Sequence, residues 1–258
     1  METHVERRHF FAPFLDRFGY FVLRSFAPGK PSSGHVVGCE KKLPEYFGDS
    51  IYSEIAGKTV IDFGCGVGDQ TIELASAGAD HVFAVDIQKQ LLEIGKARAE
   101  ESNLSEVCSF HESAENLLAD VILSKDAFEH YAEPALMLDL MAKLLNPGGC
   151  IYIAFGPTWF HPKGGHLFSN FPWSHLLFTE EALIRWRSDF KDDGATKFSE
   201  VDGGLNQINI AQFEKILDAS ALEAEYIHTI PIKGLNILKA KALREFGSSM
   251  VVCKLVAA

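Results

Sequence analysis

The run Thr59-Val60-Ile61-Asp62-Phe63 passes directly into Gly64-Cys65-Gly66-Val67-Gly68-Asp69, and Thr71-Ile72-Glu73-Leu74-Ala75 then opens a helical pattern. An apolar run of this kind reads as a buried parallel strand, so the unit predicted is strand, glycine turn, helix. Glycine is needed where the backbone takes positive φ and lets a ligand lie directly against it. A second apolar run, His81–Val85, ends in Asp86, eighteen residues after Gly68. An acid at the tip of the second strand is placed to accept both hydroxyls of a ribose, with Ile87 beside it. Taken alone, these features point to a ligand that carries a nucleoside.

Charge selects among such ligands. A dinucleotide site wants its third glycine three residues after the second, where the helix N-terminus faces a pyrophosphate. Here that position is Asp69, and Asp62 lies two residues before the first glycine. Carboxylates flanking the turn repel a pyrophosphate and suit a cationic ligand without phosphate. On the sequence Asp62-Phe63-Gly64-Cys65-Gly66-Val67-Gly68 the chain resembles the class I S-adenosylmethionine-dependent methyltransferases of the small-molecule type, whose first motif is an acid followed by G-x-G-x-G. The resemblance implies an α/β fold: a Rossmann-like, doubly wound, seven-stranded sheet, mostly parallel with one antiparallel strand. It also implies S-adenosylmethionine as cofactor, with Asp62, Gly64, Gly66 and Gly68 at its methionine end and Asp86 and Ile87 at its ribose.

Other stretches carry the same resemblance. After a third strand expected over Val107–Phe110 comes Ser113-Ala114-Glu115-Asn116-Leu117, where the family commonly has G-D-A-E-N-L-P and reads the adenine edge. Ser113 replaces the usual acid, which leaves the Ala114 N–H first, with Ser113 or Glu115 as side-chain partner. The fourth strand, Asp120–Ser124, leads to Lys125-Asp126-Ala127-Phe128-Glu129-His130, and ligands of open α/β sheets sit beyond such strand ends. The resemblance places Asp126 beside the methionine moiety and matches the E-H pair. A helix over Pro134–Leu145, the turn Asn146-Pro147-Gly148-Gly149 and a fifth strand over Cys150–Phe155 follow.

The rest of the chain is read as parts of one domain over residues 1–258. Residues 1–50 form an N-terminal helical cap in which Phe10, Phe11, Phe14, Phe18, Phe21 and Phe26 recur at helical spacing. That face suits a lid, packing on the domain, or a homodimer contact, and a membrane-surface helix is weakened by Glu2, Glu6 and Asp16. Residues 27–34 are a loop, and Leu43–Ile55 a short helix. Residues 156–205, rich in aromatics and histidine, are too long for a plain connection and read as an insertion that lids the substrate. A helix over Asn209–Ala219, a sixth strand over Leu222–His228 and a seventh over Ser249–Leu255 complete the sheet, and Ile230–Phe246 is helical in its second half.

Composition bounds the partners. A formal net charge of −11 on 258 residues argues against nucleic acid, since phosphate contacts need clustered Lys and Arg. Five scattered cysteines without a C-x-x-C pair fit reduced thiols and a cytoplasmic setting. No apolar run has the length for stable membrane insertion. The expected partner is a small-molecule acceptor.

For chemistry, imidazole is the usual base near neutral pH. His130 is the first candidate from topology, and His166 and His175 in the insertion are the next. His161, His166 and His175 do not follow an established zinc spacing, and Asp189, Asp192 and Asp193 read as a solvated acidic loop, so no metal is assigned. Trp159, Phe160 and Trp173 line an acceptor pocket or form the insertion's own core. The rival readings are an NAD-dependent oxidoreductase and a non-catalytic cofactor-binding protein of the same fold.

Overall fold

The computed structural model describes residues 12–26, 42–166, 171–191, 194–201, 204–232 and 243–257. Seven strands lie in one sheet: β1 (Thr59–Phe63), β2 (His81–Val85), β3 (Cys108–His111), β4 (Ala119–Lys125), β5 (Leu145–Phe155), β6 (Leu222–Pro231) and β7 (Ser248–Ala257). Their order is β3-β2-β1-β4-β5-β7-β6. β1 pairs in parallel with β2 and β4, and β7 runs antiparallel between β5 and β6. This is the doubly wound sheet with a single reversed strand that the sequence led us to expect.

Side-chain alternation splits the core between the two faces of the sheet. Ile61, Phe63, Ile122, Ile151, Ile153 and Phe155 face one layer. It is closed by Leu138 and Met141 of α6 (Pro134–Lys143) and by Phe213 and Leu217 of α9 (Ile210–Asp218). Val60, Val121, Leu123, Tyr152 and Ala154 face the other layer, beneath α2 (Pro44–Phe47), α3 (Ile51–Ile55) and α4 (Asp69–Ser76). The segment expected as one helix over 43–55 is thus two short ones, broken at Gly48, whose φ is +87°. α5 (Lys89–Glu101) follows β2 as expected.

Two of the boundaries that differ do so for a local reason. The turn at 146–149 does not precede β5 but lies within it as a bulge: Ala119 pairs with Leu145 and Val121 with Cys150. Asp120 holds the bulge, accepting from Asn146 Nδ2 at 2.9 Å and from the Thr59 N–H at 3.0 Å. α9 starts at a capping box, with the Asn209 side chain accepting from Gln212 N and Gln212 returning to Asn209 N.

α1 (Ala12–Phe26) packs on the insertion rather than on the sheet. Leu23 joins Leu183 and Trp186 of α8 (Glu180–Arg187), together with Phe198 and Leu205, in a separate apolar cluster. Gly19 permits the contact, since a Cβ there would lie 3.1 Å from Phe178 and Ala182. Phe18 and Phe21 point outward, 56% and 66% exposed, so these two phenylalanines are not on the face that α1 buries. Trp159 packs at the edge of this cluster, which makes it part of the insertion's own core. α7 (Ser174–Leu177) completes the insertion, and the helical turn before β7 is α10 (Arg244–Gly247). Residues 1–11, the loop at 27–34, Cys39, Asp192, Asp193 and positions 233–242 lie outside the described residues.

Candidate active site

The carboxyl ends of β1, β2 and β4 meet around the glycine turn. Gly64, Gly66 and Gly68 have φ of +85°, +52° and +81°, so all three need the conformation that glycine adopts freely. Their surroundings differ. A Cβ on Gly64 would lie 2.5 Å from Ala127 Cβ, whereas one on Gly66 would meet no heavy atom within 4 Å. Gly64 therefore serves close packing of the β1 turn on the segment after β4. Gly66 presents bare backbone to open space, as a ligand cradle requires.

Two acids brace this turn. Asp86 Oδ2 accepts from the Gly66 N–H at 2.9 Å, and Oδ1 accepts from the Gln88 N–H at 2.8 Å. Ile87 between them is 89% exposed, an apolar side chain standing free next to the acid. Asp62, 2% exposed, accepts from Thr71 Oγ1 at 2.6 Å. Burial pushes its carboxyl up to about 7, opposed by that hydroxyl and by the Lys125 ammonium. Asp126, at φ +52°, follows Lys125, and the two side chains form an ion pair. Lys125 is a buried cation among Asp62, Asp126 and Glu129, with its ammonium 5.2 Å from the Tyr46 ring centroid. Sequence reasoning passed over it, although a charged residue closing a strand built on Val121-Ile122-Leu123 is a visible signal.

Beyond β3, Ala114 is buried, while Ser113 and Glu115 are exposed, with Ser113 Oγ accepting from the Glu115 N–H at 3.1 Å. Ala114 lies in the same apolar layer as Phe63 and Val85.

The segment after β4 is a 3-10 turn, Phe128–His130. Asn206 clasps it: Nδ2 donates to the Phe128 and Tyr131 carbonyls at 2.8 and 2.9 Å, and Oδ1 accepts from the Ile208 N–H at 3.0 Å. His130 Nδ1–H donates to the Gly204 carbonyl at 2.7 Å, which leaves Nε2 as the lone-pair nitrogen. Its ring lies 5.2 Å from that of His166, so the structure brings these two candidates together. His166, at φ +50°, is bonded to the Pro157 backbone, and its Nε2 is buried without a partner. Burial, and then His130, push His166 down to about 3, so its imidazole is neutral. His175 belongs to the insertion core instead: Nε2–H donates to the Trp159 carbonyl at 2.6 Å, and its ring packs on Trp159 at 4.6 Å. Burial also depresses His161, to about 4. Among the described residues no three His, Cys, Asp or Glu are grouped to hold a metal ion.

Glu129 is the second residue missing from the candidates read off the sequence, although it is half of the E-H pair. It is 2% exposed, and Oε1 accepts from the Gly156 N–H at 3.2 Å. Burial, and then Asp126, raise its carboxyl well above the usual range.

The sheet order, the reversed β7 and the glycine turn at the β1 end define the class I methyltransferase fold. Residues 55–158 match the methyltransferase domain family. A curated relative, the ubiquinone biosynthesis O-methyltransferase of Psychrobacter cryohalolentis, is 37% identical over 102 residues, which is 37% of this chain and 39% of the relative. The chain thus aligns with about two-fifths of that relative's length. Among solved structures, an S-adenosylmethionine-dependent methyltransferase of Mesorhizobium loti has a TM-score of 0.52 at 15% identity, covering 78% of this chain and 92% of that one. The geranyl diphosphate C-methyltransferase of Streptomyces coelicolor has a TM-score of 0.55 at 12% identity, covering 80% and 73%. Both likenesses are of fold. Among the described residues no helix is long and apolar enough to cross a membrane.

Proposed function

We infer that this chain is an S-adenosylmethionine-dependent methyltransferase acting on a small-molecule acceptor. The observation that carries this is the Gly66 cradle fastened to Asp86, with Asp62 close to that acid: open backbone at positive φ beside two acids accommodates a cationic donor and disfavours a pyrophosphate. The family match and the similarity to the Psychrobacter O-methyltransferase support the same reading. An NAD-dependent oxidoreductase lacks comparable support.

In this reading Asp62 and the turn Gly64–Gly68 hold the methionine end of the cofactor. Asp86 takes the ribose, Ile87 covers the adenine, and Ala114, Ser113 and Glu115 meet its edge. Bound S-adenosylmethionine supplies an electrophilic methyl group on sulfur. The chain's own residues align the acceptor and receive its proton. Asp126 borders the mouth, and the proton is received by the imidazole pair of His130, its tautomer fixed by the Gly204 carbonyl, and His166. His175 supports the Trp159 segment behind both. The insertion at 156–205 is the substrate lid, braced by α1 as cap.

Thermal-shift titration with S-adenosylhomocysteine and with NAD tests the cofactor. A stabilising shift with the first alone is expected, and a shift with NAD alone would overturn the assignment. We also assign the protein to the cytoplasm, as the unpaired thiols of Cys65, Cys108, Cys150 and Cys253 suit, and the exposed Phe18 and Phe21 to a homodimer contact through α1. Sedimentation of a Phe18→Ser, Phe21→Ser double variant as a monomer, against a dimeric parent, checks the second point.

A further inference from the structure

Buried polar groups are nearly always satisfied, so one left without a partner needs an explanation. Among the described residues five buried side-chain atoms lack a partner: Glu129 Oε2, Thr158 Oγ1, His166 Nε2, Trp186 Nε1 and Tyr226 Oη. The last two are scattered, one in the insertion core and one on β6. The residues that carry the first three are tied to one short stretch of backbone. Glu129 is hydrogen-bonded to Gly156, His166 to Pro157, and Thr158 is the next residue. These three residues directly continue β5, whose carboxyl end lies beside that of β4, where an open sheet binds its ligand. Glu129 and Thr158 are 2% and 0% exposed, so their orphan atoms are not answered by solvent at the surface.

We propose that Glu129 Oε2, Thr158 Oγ1 and His166 Nε2 form the acceptor subsite, and that the group they read is an uncharged hydroxyl of an alcohol or phenol. The proposal rests on the methyltransferase reading and adds to it the acceptor atom and the residues that select it. The chemistry of the three atoms narrows the choice. His166 Nε2, with its other nitrogen bonded to the Pro157 backbone, offers a lone pair and no proton. Glu129 uses Oε1 to accept the Gly156 N–H, and its raised carboxyl keeps a proton for Oε2 to donate. Thr158 Oγ1 can do either. A set with one acceptor, one donor and one ambivalent group matches a hydroxyl, which both gives and receives. An ammonium can only give, and a carboxylate or phosphate can only receive. The O–H directed to His166 and one lone pair directed to Glu129 leave a second lone pair to face the donor, which is the orientation that methyl transfer needs. The His130 ring packs 5.2 Å from that of His166 and so adds a second imidazole beside this group.

The test titrates phenol, benzylamine and benzoate into the S-adenosylhomocysteine-loaded chain by calorimetry. Phenol is expected to bind at least tenfold more tightly than the two ions. Thr158→Val is expected to weaken phenol by at least tenfold. Glu129→Gln, whose amide oxygen still accepts the Gly156 N–H and whose N–H₂ replaces the carboxyl O–H as donor, is expected to keep phenol affinity within about threefold. Cofactor-product affinity stays within twofold in both. Thr158→Val removes only an unpartnered hydroxyl from a buried site, so its melting temperature should equal or exceed the parent's, which separates loss of a binding group from loss of fold. Tighter binding of benzylamine or benzoate, phenol affinity unchanged in Thr158→Val, loss of phenol binding in Glu129→Gln, or no binding of any of the three would overturn the subsite. Should S-adenosylhomocysteine itself fail to bind, the cofactor reading falls, and phenol titrated into the ligand-free parent and variants still decides the subsite.

Discussion

Asp86 Oδ2 accepts the Gly66 N–H at 2.9 Å and thereby fastens the tip of β2 to the middle glycine of the β1 turn. The other oxygen accepts from the Gln88 N–H. An ionised carboxylate is acceptor-only and answers both donors, whereas an asparagine must turn its own N–H₂ toward one of them. Asp86→Asn should therefore lower stability by about 1.5–3 kcal/mol, the range for a hydrogen bond to a charged group. It should also weaken S-adenosylhomocysteine at least tenfold, because the turn and the ribose partner are lost together. Urea denaturation and calorimetry read the two effects, and unchanged stability would show that the acid does not brace the turn.

Two glycines in the same turn should respond in opposite ways. Gly64→Ala sets a Cβ 2.5 Å from Ala127 Cβ at φ +85°. Left-handed strain and overpacking together should cost roughly 2–5 kcal/mol. Gly66→Ala meets nothing within 4 Å and has only the left-handed penalty, about 1–2 kcal/mol. Its methyl group would instead fill the cradle, so cofactor-product affinity should fall more than tenfold in a protein that still folds. Equal loss of stability in the two variants would contradict this division of labour.

The half of the chain organised by local rules was legible in the sequence. β1, β2 and α5 begin and end where their apolar runs and helical pattern do, because a buried strand or a periodic helix is encoded within its own residues. The cofactor candidates share this property, being a contiguous turn plus residues at strand ends. The insertion was not legible in the same way. Its fold depends on α1, more than 150 residues away: Tyr20 Oη donates to Asp189 Oδ2 at 3.0 Å, and Arg185 stacks 4.1 Å above the Tyr20 ring. Nor does spacing reveal that Glu129 would be buried, or that His166 would meet His130 while His175 turned to Trp159. Those outcomes rest on contacts between distant segments, and only the orphaned atoms single them out.

Asn206 is the hinge pin between the two halves. Its side chain holds the carbonyls on both sides of the Phe128–His130 turn and the N–H of Ile208. Asn206→Ala removes three hydrogen bonds to backbone groups and should destabilise the protein by roughly 2–4 kcal/mol. Asn206→Asp should be worse, since it directs an anionic oxygen at two carbonyls. Both variants should retain S-adenosylhomocysteine affinity once folded, while kcat falls through misplacement of His130. Equal stability of the parent and the aspartate variant in denaturant titrations would remove this role.

Asp62 makes stability depend on pH in a direction opposite to the usual acid. Its carboxyl rises from 3.8 to about 7 on folding, with burial the largest cause. A raised value means that the folded state binds the proton more tightly, so this contribution is fully present below pH 3.8 and is lost as pH rises through 7. His161 and His166 act in the other sense, losing their contribution as pH falls from 6.5 toward about 4 and 3. Comparison with Asp62→Asn cancels the histidines, which both proteins share, and asparagine can still accept the Thr71 hydroxyl. The stability of Asp62→Asn relative to the parent should climb between pH 4 and 7 and level off above pH 8. The gain should be at most about 4 kcal/mol, at ~1.4 kcal/mol for each unit of displacement. Parallel denaturation curves for the two proteins across that interval would mean that Asp62 is ionised in the folded apoprotein throughout, with Lys125 fully compensating its burial.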